Sequence, residues 1–207
     1  VLHAPEGASV PLRAVWAHGY LGVPMFFVLS GFLLTRLYFD ALRDGRTGLG
    51  TFLMRRVARI WPLFLVLAVV QHLALWALGR QDPHLGWLVS LTMSQGWFAG
   101  SLYDGLPQAW SLTIEEAFYV LLPLACLVID RVVFAGARSR VLGPARWFRL
   151  GAALALLVVG AALLGELAWR LADAAGWHWR GFLADRGHMA RMTLAGRFPE
   201  FAVGMAA

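Results

Sequence analysis

Lysine is absent from this chain of 207 residues, and all 18 basic residues are arginine. Charge of any sign is scarce: Asp, Glu, Lys and Arg make up 14%, where a soluble domain carries about 25%. That shortage excludes an ordinary water-solvated domain and points to lipid as the main solvent. Cysteine is nearly absent too. Cys126, inside an apolar run, cannot build a disulfide framework and reads as a small core residue. His72, His84, His178 and His188 lack close partners at ligand spacing, so no metal cluster is read. No glycine-rich phosphate cradle, internal repeat or low-complexity tract occurs. The chain opens at Val1 without a basic leader, so no signal peptide is read, and it closes at Ala207 early in an apolar run. The expectation is a partial domain over 1–207, its first helix truncated and later helices lying beyond.

What is present is hydrophobic. Apolar residues make up 59% and there are ten tryptophans, a residue that favours the membrane–water interface. Mean hydropathy is +0.64. Apolar runs at 21–39, 60–78, 110–133 and 150–169 are each long enough to span a bilayer as a helix, and 198–207 begins another. Continuous runs of that length exclude the alternating pattern of barrel strands. The fold class is all-α, a polytopic transmembrane helical bundle. The stretch 85–98 is apolar but too short to cross and reads as re-entrant or interfacial.

The net charge of +6 could suggest nucleic acid. The arginines cluster beside apolar runs and form no separate basic face, so nucleic acid is not expected as a partner. Membrane lipids are. Six arginines lie in 36–59 and five in 131–149, against one in 80–109. The positive-inside rule puts the first two connections in the cytoplasm. Five arginines in 170–197 conflict with the outer placement this topology gives that segment.

Few ionisable residues reach membrane depth, where each is a functional candidate. Glu115 and Glu116 open the third span, and they point about 100° apart on a helix. Arg55, Arg56 and Arg59 are placed by hydropathy at the inner mouth of the second span, Pro62 near its helix start. His72 reads as a hydrogen-bonded packing residue, Glu166 and Glu200 as solvated span ends. Ser30 and Gly31 read as close helix packing, with a nucleophilic Ser30 as the weaker alternative. Ser111 reads as an N-cap rather than a nucleophile. Trp110 either lines a site or anchors at the interface.

Four segments occur in order: GVPMFFVLSGF at 22–32, RRVARIWP at 55–62, WSLTIEEAFY at 110–119 and RFPEFAVGM at 197–205. Together they resemble the bacterial acyltransferase 3 family, integral-membrane enzymes that O-acylate polysaccharides, lipopolysaccharide sugars, peptidoglycan and some antibiotics. The resemblance implies a multi-pass protein of the bacterial cytoplasmic membrane. It would move an acyl group, commonly acetyl, from acyl-CoA to a hydroxyl of a carbohydrate or lipid-linked acceptor. It implies no bound cofactor, acyl-CoA serving as donor substrate.

By the same resemblance, VLH at 1–3 matches the tail of the family's first helix, which makes His3 the candidate base and His18 its competitor. Histidine suits proton abstraction because its unperturbed pKa is about 6.5. Glu115 would be its carboxylate partner or a second acid–base group. Arg56 and Arg59 fill the family's paired-arginine spacing. With Arg55 they would meet donor phosphates, or would serve only as positive-inside anchors. Trp110 and Ser111 would flank the acceptor. The expected layout has His3 and Glu115 at the outer face and the arginines at the inner one. A transporter or flippase for a lipid-linked saccharide is the alternative, with a non-catalytic scaffold behind it.

Overall fold

A computed structural model describes residues 21–79, 86–103, 105–106, 108–134 and 143–207. His3, His18 and His84 lie outside the described residues. Among the described residues seven α-helices run in order: α1 Gly22–Arg43, α2 Leu49–Ala77, α3 Gly86–Leu91, α4 Trp110–Ile129, α5 Pro144–Ala174, α6 Arg186–Met192 and α7 Leu194–Ala206. A π-helical turn, Asp130–Phe134, extends α4. Four of these elements, of 22, 29, 25 and 31 residues, are long and apolar enough to cross a membrane: α1, α2, the extended α4 and α5. Pro144 starts α5, where its missing N–H costs nothing. Among the described residues the one β-type pairing is an isolated bridge between Phe98 and Phe182.

The segment read as too short to cross is short in fact. α3 has six residues and leads into single 3-10 turns at Gln95–Trp97 and Ala99–Ser101. These join the connection after α5 in a cap. Leu183 N–H donates to the Trp97 carbonyl at 2.9 Å, and a His188 ring nitrogen lies 2.9 Å from the Gly96 carbonyl. The two connections therefore occupy one end of the bundle. At the other end Arg43 and Asp130 tie α1 to α4 at 2.8 Å. Three of the five arginines in 170–197 are ion-paired. Arg170 and Arg186 both bind Glu166, at 2.8 and 2.9 Å, and Arg197 binds Glu200 at 2.9 Å.

His188 is buried in this cap, and burial holds its pKa below the ordinary 6.5. Unfolded histidine therefore takes up a proton at a pH where the folded one does not. The stability it contributes is complete above about 6.5 and is lost as pH falls from there through the lower pKa of the folded state. Hydrogen exchange in residues 95–101 should accelerate at mildly acidic pH, and His188→Gln should flatten that dependence. Exchange independent of pH after correction for intrinsic rates would contradict this.

The core lies where α1, α4, α5 and α7 meet. α7 crosses α1 at backbone contact: a Cβ on Gly31 would collide with the Phe201 carbonyl, and one on Gly204 with the Val28 carbonyl. This matches the packing role read for Gly31. Phe118, Phe201 and Phe27 stack through the junction, with centroids 4.0 Å and 4.8 Å apart. Cys126 is buried in the same core, and a His72 ring nitrogen lies 3.2 Å from the Ala68 carbonyl.

Two local expectations fail. The second span was read from residue 60, whereas α2 begins at Leu49, so Pro62 is a helix-interior residue. Hydropathy misplaces the boundary because it scores arginines as solvent-seeking, whatever covers them. Ser111 is not the N-cap of α4. Ala109 occupies that position without a side-chain cap bond, and the Ser111 hydroxyl instead donates to the Gln108 carbonyl at 2.8 Å.

Candidate functional site

Glu115 enters the bundle on the second turn of α4 and is 6% exposed. A carboxylate removed from water in this way needs hydrogen-bond donors. Ser30 of α1 supplies one, its hydroxyl donating to Oε1 at 2.8 Å. Tyr119, one turn along α4, is also hydrogen-bonded to it. Glu116 diverges as the helical angle requires and accepts from the Trp61 indole N–H of α2 at 2.7 Å.

The arginines are not at the opposite face. Arg56 and Arg59 both act electrostatically on Glu115. Arg59 sits about 15 Å along α2 from its start, by a rise of 1.5 Å per residue. The inner-mouth placement is thus corrected: because α2 starts early, these cations lie inside the helix at the level of the carboxylates.

The three arginines then separate. Arg56 is buried, donates to the Tyr38 hydroxyl at 2.5 Å, and stands over the Tyr38 ring at 4.8 Å and the Phe52 ring at 5.9 Å. Aromatic faces stabilise a desolvated cation, yet its Nε has no hydrogen-bond partner among the described residues. Arg59 lines a groove of about 550 Å³ between α1, α2 and the start of α4, with Phe26, Leu63, Leu67 and Ser111 among its walls. That volume is within the range of small-molecule sites. Arg55 is exposed and lines no part of this groove. Trp110 is half-buried and packs on the main core.

The cap is bonded to the first turns of α4. The Thr113 hydroxyl donates to the Met93 carbonyl and accepts from Gly96 N–H at 3.1 Å. Met93 is fully buried with φ of 50°, a left-handed conformation that only surrounding packing maintains for such a residue. Gly22 and Val23 also line the groove, so the start of α1 forms part of its wall.

Of the residues singled out from sequence, the structure brings Glu115, Arg56 and Arg59 together and places Ser111 on the groove wall, with Glu116 turned toward Trp61. Sequence reasoning missed Tyr38, Trp61 and Tyr119 and the bond from Ser30. Tyr119 stands four residues from Glu115 on the same helix face, a signal that was available. Tyr38 and Trp61 gave no sequence signal, since their roles arise from helix pairing. Among the described residues, no group of three or more His, Cys, Asp or Glu side chains is arranged to hold a metal ion.

The four ordered segments converge on this site. Ser30 comes from the first, Arg56, Arg59 and Trp61 from the second, and Glu115, Glu116 and Tyr119 from the third. Phe198 and Phe201 of the fourth pack on Phe118. Residues 2–207 match the family model described as "Acyltransferase domain". The chain is 35% identical over 134 residues to "Protein 2 in picA locus" of Rhizobium radiobacter, covering 59% of this chain and 69% of that one. It is 31% identical over 164 residues to the putative peptidoglycan O-acetyltransferase YrhL of Bacillus subtilis, covering 72% of this chain and 24% of that protein. It is 34% identical over 127 residues to the O-acetyltransferase OatA of Staphylococcus aureus, covering 55% and 21%. The matched part is thus less than a quarter of either named acetyltransferase. No solved structure matches the chain.

Proposed function

Since the chain belongs to the acyltransferase domain family, matched over residues 2–207, we propose that it carries the reaction centre of a membrane O-acyltransferase. An acyl group, acetyl in the simplest case, passes from acyl-CoA to a hydroxyl of a sugar, polysaccharide or lipid-linked acceptor. The protein works as a multi-pass enzyme of the bacterial cytoplasmic membrane. The observation that carries this reading is the buried Glu115 carboxylate, held by Ser30 and Tyr119 beside an arginine-lined groove. The names of two relatives, a peptidoglycan O-acetyltransferase and an O-acetyltransferase, support the same chemistry.

The step balances without a further reactant. The acceptor oxygen attacks the thioester carbonyl while a base takes its proton. The tetrahedral intermediate collapses, the carbon–sulfur bond breaks, and the thiolate leaves and is protonated. His3 is the proposed base. Glu115 would orient it and stabilise the imidazolium, or would itself relay the proton. Arg59, facing the groove, would take an anionic group of the donor. Arg56 would hold positive potential beside Glu115, and Ser111 and Trp110 would lie on the acceptor side.

In the full-length protein, Arg59→Gln should raise the KM for acyl-CoA about tenfold or more, the order expected for losing a charge-assisted bond. Arg55→Gln should leave it within about twofold of wild type, as expected for an exposed charge. Initial rates against donor concentration test both. An unchanged donor KM in Arg59→Gln would leave that arginine a topology signal only.

A further inference from the structure

The neighbour of Ser30 determines what Ser30 can do. Gly31 lies against the Phe201 backbone, so α1 cannot rotate or slide there without losing contact with α7. That crossing aims the Ser30 hydroxyl, itself 9% exposed, at α4, where it donates to Glu115 Oε1 at 2.8 Å. Among the described residues no ion pair holds Glu115. Arg56 is engaged by Tyr38 and Arg59 faces the groove, so the arginines act on the carboxylate only at a distance while its hydrogen bonds come from hydroxyl groups. Of the two, Tyr119 shares a helix with Glu115 and moves with it. Ser30 is the donor that references the carboxylate to a different helix.

We propose that Ser30 is a positioning residue for the transfer reaction. Its hydroxyl fixes the Glu115 carboxylate relative to α1, and the α1–α7 crossing sets where that hydroxyl points. This rests on the acyl-transfer reading. Ser30 touches no reacting atom and forms no covalent intermediate. A carboxylate whose oxygens are free to rotate loses the alignment on which proton transfer depends.

The test uses the full-length protein, with acyl-CoA as donor and its cell-surface glycan as acceptor. Ser30→Ala and the volume-conserving Ser30→Cys should lower kcat about ten- to hundredfold, the range for losing a hydrogen bond to a charged group. KM for both substrates should stay unchanged. Ser30→Thr, which keeps the hydroxyl, should recover most of the rate. Wild-type kcat in both Ala and Cys variants, with Glu115→Gln inactive, would overturn the positioning role and leave the acyl-transfer reading intact. Equal losses in Ala, Cys and Thr variants would reduce Ser30 to packing. Full activity in Glu115→Gln would overturn the acyl-transfer role of Glu115 and this proposal with it.

Discussion

Glu115→Gln in the full-length protein should slow ester formation about 10²–10⁴-fold, the usual contribution of a positioned acid–base group. The amount of protein in the membrane should not change. Gln matches Glu in size, and its carbonyl can still accept from Ser30, so the bundle keeps its contacts and loses only the charge and the proton-accepting oxygen. Glu116→Gln should cost far less. Its partner is the neutral Trp61 indole, which an amide oxygen satisfies equally well. Quantifying acylated acceptor by mass spectrometry, normalised to protein level, separates the two. Equal rates in wild type and Glu115→Gln would remove Glu115 from the chemistry. Equal losses at both positions would turn the carboxylate pair into a generic polar layer.

The second large effect concerns assembly. Gly31→Ala and Gly204→Ala should each sharply lower the amount of folded protein. In an isolated helix alanine is favoured over glycine by about 1 kcal/mol, so propensity predicts the opposite. What opposes it is that each added Cβ collides with a backbone carbonyl, of Phe201 or of Val28. A backbone atom cannot swing aside as a side chain can. α1 and α7 must separate, loosening the Phe118–Phe201–Phe27 stack, at a cost of about 1–3 kcal/mol or more. Proteins have only about 5–15 kcal/mol in hand. Gly160→Ala is the control, since no atom of the described chain approaches within 4 Å of its would-be Cβ. Thermal midpoints in detergent for the three variants decide it. A rise in all three would show that propensity governs and that the α1–α7 crossing is not tight.

Much of the bundle can be read from the sequence, because a lipid-facing helix must be apolar along its whole length. The four spans and the shortness of 85–98 follow from that requirement alone. The divergence of Glu115 and Glu116 follows from helical geometry. The position of the arginines does not. A hydropathy run registers that an arginine is charged, yet says nothing of Tyr38 and Phe52 covering Arg56, which come from other turns and another helix. The run therefore began at residue 60, and the cations were assigned to the wrong end. The N-cap assigned to Ser111 failed for a different reason. Residue type favours a cap, but the turn before α4 already gave that position to Ala109 and left the hydroxyl to the Gln108 carbonyl.

The central claim is that a single centre, built by all four ordered segments around Glu115, transfers an acyl group. The most direct measurement reconstitutes the full-length protein in liposomes with acyl-labelled CoA and a saccharide acceptor, then follows label in the acceptor by mass spectrometry. The account predicts an ester on an acceptor hydroxyl, formed in step with CoA release and lost in Glu115→Gln. An acceptor that crosses the bilayer without gaining an ester, at the same rate in both proteins, would contradict it.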